Sequence, residues 1–294
     1  MNTKPKIAVL GLGLMGSGMA SRLVGQGFDV TVYNRSPQKT ELLKKLGARV
    51  APTPAQAAAG AQVIISMLAD DSAAREVWLG KNGAAGSAAR GTLFIESSTI
   101  SVGWIHELAK AAGERGCELL DAPVTGSKNA AAAGELVFLV GGSAAALESG
   151  RPVLSAMSRD IVNLGPSGSG ALMKLINNFV CGVQAVALGE AVAVIERAGL
   201  DRKKAVEVLT GGAPGSPLVK MISARMVASD FTPNFLLRLI AKDLRYALKE
   251  TGDAGMDVVS AALRTFDRAI DAGYGEKDFS SVVEILRHSG KEQA

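Results

Sequence analysis

The chain has 294 residues, of which 48% are hydrophobic and 4% aromatic. It is longer than the chains that usually fold around a single hydrophobic core, so we expect two soluble domains. Its two cysteines exclude a disulfide framework and a cysteine-rich zinc site, and we expect no metal. The net charge of +4 is spread along the chain without a block of five basic residues, so we expect small anionic ligands rather than nucleic acid.

The N-terminal residues lack the features of a secretion signal. A Lys-Pro-Lys run at residues 4–6 leads directly into a short apolar run, with no longer hydrophobic region or cleavage site. The longest apolar stretch, which begins near residue 169, is interrupted by Lys174, Asn177 and Glu190, so we do not expect it to cross a membrane. We therefore expect a cytoplasmic protein with no membrane partner.

Two different patterns divide the chain. Between residue 6 and about residue 165, short β-branched runs alternate with Ala-rich stretches, which predicts a parallel sheet with crossover helices. We predict strands at residues 7–11, 29–33, 63–67, 93–96, 118–121, 136–140 and 161–164. We predict a long helix from residue 169 to about 198, then helices near 201–210, 217–228, 236–252, 257–272 and 279–288. The pattern predicts an α/β domain at 1–166 and an all-α domain at 167–294, joined through the long interdomain helix.

A glycine-rich turn follows the first predicted strand and opens the next helical stretch. It reads Gly11-Leu12-Gly13-Leu14-Met15-Gly16. Here Gly11 permits a tight turn, Gly13 lets the backbone approach a pyrophosphate, and Gly16 lets helix and strand pack closely. The helix N-terminus offers free amides to the phosphates. The pattern predicts a Rossmann-type nucleotide-binding domain; a glycine-rich turn without a ligand is the alternative.

The end of the second predicted strand indicates which dinucleotide binds. It reads Tyr33-Asn34-Arg35-Ser36, where an NAD-binding protein usually has Asp or Glu for the ribose hydroxyls. No carboxylate is present to repel a 2′-phosphate. Arg35 can pair with that phosphate, and Asn34 and Ser36 can donate hydrogen bonds to it. We predict NADP(H) as the preferred cofactor and NAD(H) as the alternative, in which Arg35 is solvated on the surface.

Few side chains are available to move a proton. One histidine, His106, lies in the nucleotide half, and the other, His288, lies near the C-terminus. The Tyr-x-x-x-Lys pair of short-chain reductases is absent, because proline, glutamate and aspartate stand four residues after the three tyrosines. Two histidines and two cysteines that lie far apart in sequence cannot form a zinc site. A lysine, serine or threonine is left to handle the proton.

The long predicted helix carries a lysine and an asparagine on one face. Lys174 and Asn178 are four residues apart, and most of their neighbours within 170–178 are apolar. Partial desolvation lowers the pKa of an ammonium group, which would suit a lysine at a domain boundary to act as both acid and base. A lysine that snorkels from a buried helix is the alternative.

Four motifs resemble the β-hydroxyacid dehydrogenase family, which includes 3-hydroxyisobutyrate dehydrogenase and the glyoxylate/succinic semialdehyde reductases. They are the glycine-rich turn, Asp121-Ala122-Pro123-Val124-Thr125-Gly126-Ser127, the 170–178 segment and Lys242-Asp243-Leu244. They run in the family's order between residue 7 and about residue 245. The resemblance implies an NADP(H)-linked oxidoreductase that interconverts a small carboxylate-bearing aldehyde and its hydroxyacid, as a homodimer or homotetramer.

The resemblance also implies a role for each matching catalytic or substrate residue. Lys174 is the general acid, and Asn178 orients the substrate. Thr125 and Gly126 hold the substrate carboxylate through a hydroxyl and a backbone N–H, with Ser127 beside them. Thr125 stands where serine is commoner in the family, so the hydroxyl is kept and the pocket is narrowed by a methyl group.

Further residues are assigned to the cofactor by the same resemblance. Met67 and Leu68 lie on its adenosine side and Thr99 lies beside the nicotinamide. Lys242 lies near the cofactor or the substrate anion; an exposed ion pair with Asp243 is the alternative.

The choice of substrate rests on weaker signals. The segments at 34–36 and 125–128 resemble glyoxylate/succinic semialdehyde reductases more than the NAD-linked hydroxyisobutyrate enzymes. Phe231 and Phe235 are candidates to shape the distal pocket, and Arg238 is a candidate to bind a second carboxylate, or else is solvated. The alternatives are 3-hydroxyisobutyrate dehydrogenase, tartronate semialdehyde reductase, an imine reductase, which usually lacks lysine at position 174, and a non-catalytic nucleotide-binding module.

Overall fold

The computed structural model describes residues 4–252 and 255–288. The chain divides into two compact units, Met1–Lys174 and Leu175–Ala294. Within the described residues, all the strands lie in the first unit and the second unit is helical. The fold is therefore the predicted Rossmann-type α/β domain followed by a helical domain.

The first unit is built around one sheet, with nine strands among the described residues. They are β1 (Ile7–Leu10), β2 (Val30–Tyr33), β3 (Arg49–Val50), β4 (Val63–Ser66), β5 (Leu93–Glu96), β6 (Glu118–Asp121), β7 (Val124–Thr125), β8 (Leu136–Gly141) and β9 (Ser158–Gly165). Their order is β3-β2-β1-β4-β5-β6-β8-β7, and β9 pairs with β8. All seven predicted strands are present. The unpredicted strands β3 and β7 have two residues each, too few to show a period.

Helices cover both faces of this sheet. They are α1 (Leu14–Gly25), α2 (Glu41–Lys45), α3 (Pro54–Ala58), α4 (Asp71–Leu79), α5 (Val102–Gly113), α6 (Lys128–Ala133) and α7 (Ala144–Ser155). In β1, Ile7 and Val9 belong to one buried cluster, and Ala8 and Leu10 belong to another. Because both faces are covered, β1 is buried along its whole length and forms a continuous apolar run in the sequence.

The direction of the strands changes at one side of the sheet. The strands β1 to β6 are parallel, as predicted. However, β8 is antiparallel to both β6 and β7, so the prediction of a parallel sheet is wrong there. In the fully described segment between β6 and β8, α6 is the only helix, and its six residues span about 9 Å. Such a helix is too short to carry the chain back along the sheet for a parallel strand.

The helix α8 (Ser169–Arg197) has 29 residues and matches the predicted long helix. By length and composition it is the one helix in the described ranges that could cross a membrane. Half of its most apolar window is buried inside the protein. The interruptions at Lys174, Asn177 and Glu190 are therefore too few to exclude a span by composition. The central helix of a compact domain gives the same signal.

The second unit adds α9 (Arg202–Gly211), α10 (Pro217–Ala228), α11 (Leu237–Thr251), α12 (Asp257–Ala269) and α13 (Val283–His288) to the continuation of α8. Each of these helices begins within four residues of its predicted start. In α11, Leu237, Ile240 and Leu244 are buried at helical spacing, which forms one apolar stripe. They pack in one core with Phe266 of α12.

Candidate active site

The glycine-rich turn joins β1, in the middle of the sheet, to α1. Gly11 has a φ of +98°, and a Cβ there would lie 2.4 Å from the carbonyl oxygen of Met67. A Cβ on Gly16 would lie 2.0 Å from the carbonyl oxygen of Gly11. The fold itself therefore requires glycine at the first and third positions of the turn.

Gly13 is required by neither conformation nor packing. Its φ is −74°, and a Cβ there would have no heavy atom within 4 Å. It is the N-cap of α1, and no side chain caps that end of the helix. The uncapped amides and the positive end of the helix dipole favour an anion at this place. A dinucleotide pyrophosphate fits these features, because the open space at Gly13 would admit it.

The segment after β2 holds the glycine-rich turn in place. The Oδ1 atom of Asn34 accepts a hydrogen bond from the Leu12 amide at 2.9 Å, and its Nδ2 donates to the Ser36 carbonyl at 3.0 Å. Asn34 thus serves the loop itself, a role that sequence reasoning missed, and only its second N–H is left for the predicted phosphate contact. Arg35 and Ser36 are exposed, and the Arg35 guanidinium makes no hydrogen bond or ion pair with another residue in the described ranges.

A buried carboxylate joins the loops that follow β4 and β5. Glu96 is the last residue of β5 and is fully buried. It accepts hydrogen bonds from the Ser98 amide at 3.0 Å and from the Trp78 indole at 2.9 Å. The Ser98 hydroxyl in turn accepts one from the Leu68 amide at 2.7 Å. Two predicted cofactor positions, Leu68 and the half-buried Thr99, therefore lie on loops that this network links. The only sequence signal is an acid at the end of a buried apolar strand.

Burial gives Glu96 a pH-dependent effect on stability. Desolvation raises its pKa above the ordinary value of 4.5, although hydrogen bonds from Ser98, Ser66 and Trp78 act in the opposite direction. Its contribution to folding is therefore fullest below pH 4.5 and is lost as pH rises through the folded-state pKa. In Glu96→Gln this titration is absent, so the wild-type advantage in unfolding free energy should shrink as pH rises.

Urea unfolding of both proteins from pH 4.5 upward measures this difference. Glu118→Gln on the neighbouring strand changes an exposed carboxylate in the same way and serves as the control. A wild-type advantage that stays constant or grows with pH would contradict the prediction.

The predicted substrate loop follows β6. Thr125 is half-buried in β7 and pairs with Val137 of β8. Gly126 has a φ of +130°, which disfavours any other residue there. The Ser127 hydroxyl accepts a hydrogen bond from the Ala130 amide at 3.3 Å and so caps α6. Among the three predicted substrate residues in this loop, the Ser127 hydroxyl is therefore engaged in starting α6.

The substrate loop is held beside the glycine-rich turn by contact between two helices. A Cβ on Gly18 of α1 would lie 3.0 Å from both the Cβ of Ala131 and the amide nitrogen of Ala132 in α6. The missing side chain at Gly18 therefore allows α1 and α6 to touch. Because α6 begins directly after Ser127, this contact fixes one end of the loop relative to α1, whose N-cap is Gly13.

Lys174 lies in the second turn of α8 and is half-buried. One turn before it, Gly170 packs so closely on the sheet that a Cβ would lie 2.3 Å from the Leu139 carbonyl oxygen. Lys174 thus belongs to the same unit as the glycine-rich turn, Thr99 and the 125–127 loop. The strands that lead into these loops end at one edge of the sheet, where open α/β sheets bind ligands.

The second unit gathers Asn178 and Lys242 around a shared carboxylate. Asn178, which is 3% exposed, donates from Nδ2 to the Asp243 carboxylate at 2.6 Å. The Lys242 ammonium lies 2.9 Å from the other oxygen of Asp243 and 4.9 Å from the centre of the Tyr246 ring. Sequence reasoning gave Asp243 no role beyond a surface ion pair. The pair exists, but it is largely buried, and Asp243 orients both neighbours.

Arg238 lies on the surface, as in the alternative in which it is solvated. It is exposed, and its Nε donates to Glu276 at 2.5 Å. Such a surface ion pair contributes little to stability, and it engages the group that was predicted to meet a second carboxylate. The substrate role of Arg238 stays a prediction without structural support.

Two family models together match most of the chain. The NAD binding domain of 6-phosphogluconate dehydrogenase matches residues 6–165. The model described as NAD-binding of NADP-dependent 3-hydroxyisobutyrate dehydrogenase matches residues 168–286. The fold and the glycine-rich turn thus define an NAD(P)-dependent oxidoreductase of the hydroxyacid dehydrogenase type.

Individual relatives identify the family. The chain is 34% identical to the chloroplastic glyoxylate/succinic semialdehyde reductase 2 of Arabidopsis thaliana, over 98% of this chain and 81% of that protein. It is also 34% identical to the NAD-dependent L-serine dehydrogenase of Pseudomonas aeruginosa, over 96% of this chain and 97% of that protein. A structure of Mycobacterium tuberculosis 3-hydroxyisobutyrate dehydrogenase with L-serine has a TM-score of 0.87 and 34% identity, covering 97% of this chain and 99% of that one. The chain belongs to the β-hydroxyacid dehydrogenase family, so the predicted family and enzyme class are confirmed.

Proposed function

We propose that this enzyme uses NADP(H) to interconvert a small carboxylate-bearing aldehyde, such as glyoxylate or succinic semialdehyde, with its hydroxyacid, and that Lys174 is the general acid and base. The observation that supports this most is the grouping of three elements in the first unit. They are the uncapped helix end at Gly13, the Thr125-Gly126 loop and the half-buried Lys174.

In the proposed reaction each group has one task. NADPH, when bound, supplies the hydride. The Thr125 hydroxyl and the Gly126 N–H hold the substrate carboxylate, so that its aldehyde carbon is oriented for attack. Lys174 donates a proton to the oxygen as negative charge develops there, and takes it back in the oxidative direction. Asn178, held by Asp243, orients the substrate, and Lys242 adds positive charge near its anion.

The preference for NADP(H) is proposed from Arg35. The side chain is exposed after β2 and no carboxylate stands beside it in the 33–36 segment. A hydrogen bond to a charged group contributes about 1.5–3 kcal/mol, so Arg35→Ala should lower kcat/KM with NADPH about 10- to 100-fold and leave the value with NADH unchanged. Arg151→Ala, which removes a surface arginine paired with Glu148, is the control. A wild-type preference for NADH would overturn the cofactor proposal.

A panel of aldehydes tests the substrate proposal. Glyoxylate, succinic semialdehyde, tartronate semialdehyde and methylmalonate semialdehyde are each assayed with NADPH and NADH. The highest kcat/KM is expected for glyoxylate or succinic semialdehyde with NADPH. No reduction of any of the four would overturn the proposed activity and leave a non-catalytic nucleotide-binding module or an imine reductase as the alternative.

A second candidate is oxidation of a β-hydroxyacid such as L-serine or 3-hydroxyisobutyrate. It is favoured by the identity of 34% to the L-serine dehydrogenase, which equals the identity to the plant reductase. The same site would serve, with Lys174 as base. Assays of both hydroxyacids with NAD⁺ and NADP⁺ compare this candidate directly with the first.

Assembly into a cytoplasmic homodimer or homotetramer is also part of the proposal. Leu172, Ile176 and Val180 are spaced four residues apart on α8, and they are 40%, 37% and 42% exposed. An apolar stripe at this spacing suits contact with a second copy. Light scattering that gives the mass of one chain would contradict it.

A further inference from the structure

The carboxylate of Asp121 is bound to the start of another element. Asp121 ends β6 and is fully buried. Its Oδ1 atom accepts a hydrogen bond from the Gly168 amide at 2.8 Å, and its Oδ2 atom accepts one from the Ala171 amide at 2.9 Å. These amides lie just before and within the first turn of α8, where backbone donors have no partner inside the helix. Asp121 therefore caps α8 from a distant part of the sequence.

The two glycines around this carboxylate show how closely the parts fit. A Cβ on Gly141 of β8 would lie 2.6 Å from Oδ1 of Asp121 and 2.7 Å from the Pro166 carbonyl oxygen. A Cβ on Gly170 of α8 would lie 2.7 Å from the Asp121 carbonyl oxygen. The helix start therefore rests directly on the edge of the sheet, and Asp121 has no space in which to turn elsewhere.

Asp121 is connected both to the loop proposed to bind the substrate and to the helix that carries the proposed general acid. Along the chain it begins the segment that leads to Thr125 and Gly126. Through its side chain it holds Ala171, which lies three residues before Lys174 on the same helix. Residues three and four apart share a helix face, so a shift at Ala171 moves the Lys174 ammonium with it.

We propose that Asp121 is a positioning residue, which sets the place of Lys174 relative to the Thr125-Gly126 loop and does not touch the substrate. This assignment rests on the proposed role of Lys174 as general acid. The acid in the Asp-Ala-Pro-Val motif thus acts on the helix that carries the lysine. A misplacement of about 1 Å in a reacting group costs on the order of 10²-fold in rate, so the effect of losing this anchor should appear in kcat.

A double-mutant cycle tests the assignment with the full-length enzyme. Asp121→Asn has nearly the same shape, but its single carbonyl oxygen must replace two carboxylate oxygens as acceptor. It should lower kcat on the order of 10²-fold, with the KM for aldehyde and the Kd for NADPH unchanged. In the Lys174→Ala background the same change should cost nothing further, because the group that Asp121 positions is already absent.

Two further variants separate a loss of positioning from a loss of folding. Asp121→Ser, whose shorter hydroxyl reaches at most one amide, should lose more activity than Asp121→Asn while NADPH titration still reports a folded nucleotide site. Glu118→Gln, which changes an exposed acid on the same strand, should keep wild-type kcat.

Two outcomes would overturn the assignment of Asp121 and leave the proposed function standing. One is that the losses in kcat from Asp121→Asn and Lys174→Ala multiply in the double variant, and the other is that Asp121→Asn raises KM and leaves kcat unchanged. Full turnover in Lys174→Ala would instead overturn the lysine mechanism itself, and the assignment with it.

Discussion

The variant Lys174→Ala is expected to lose about 10²- to 10⁴-fold in kcat, the usual contribution of a positioned general acid. NADPH binding should be preserved, because the glycine-rich turn and Arg35 lie on other elements of the first unit. Steady-state kinetics with the best aldehyde of the panel measures kcat, and fluorescence titration with NADPH measures the Kd.

Chemical rescue distinguishes a lost proton donor from a damaged fold. A small primary amine added to Lys174→Ala should restore part of kcat, in proportion to the concentration of its ammonium form. Lys249→Ala removes an exposed lysine of α11 and should behave as wild type. Unchanged turnover in Lys174→Ala refutes the role of Lys174 as acid.

Replacing Gly13 and Gly16 with alanine should separate cofactor binding from folding. At Gly13 a Cβ has no heavy atom within 4 Å, so Gly13→Ala should fold with little loss of stability. The methyl group would occupy the space proposed for the pyrophosphate, and overpacking of about 1–3 kcal/mol corresponds to a Kd for NADPH raised about 5- to 150-fold.

Gly16→Ala should act first on the fold itself. Its Cβ would lie 2.0 Å from the Gly11 carbonyl oxygen, so β1 and α1 must move apart at a cost of about 1–3 kcal/mol or more. Urea unfolding and NADPH titration of both variants measure the two effects. Equal destabilisation by both substitutions would show that the space at Gly13 is not open, and tight NADPH binding by Gly13→Ala would remove the pyrophosphate from this place.

The architecture was readable from the sequence because its strands and helices are long enough to repeat a pattern. In β1 four consecutive buried residues, and in α11 an apolar stripe, stand out against their neighbours. The reversed direction of β8 was not readable, because the alternation of strand and helix patterns predicts parallel crossovers and only the structure shows that α6 is too short for one. Nor were β3 and β7, since two residues carry no period.

The positions of the site followed from motifs, whereas their supporting contacts did not. Lys174 and Gly13 stand in short segments with recognisable spacing. Trp78 lies 18 residues from Glu96 in the sequence, the two amides bound by Asp121 lie 47 and 50 residues from it, and Asn178 lies 65 residues from Asp243. Only the folded chain brings these partners together. Buried acids were thus the residues most easily missed, because a sequence does not show which charges lose their water.

The contact between Gly18 and Ala131 limits how the substrate loop can be exchanged. A loop taken from a relative with another specificity can vary most freely at residues 128 and 129, which are exposed, whereas Ser127 caps α6. At Ala131, which is fully buried against α1, any larger side chain would push α6 and the loop away from the glycine-rich turn. Redesign of specificity therefore has to treat the loop and its first helical turn as one graft that ends in a small residue.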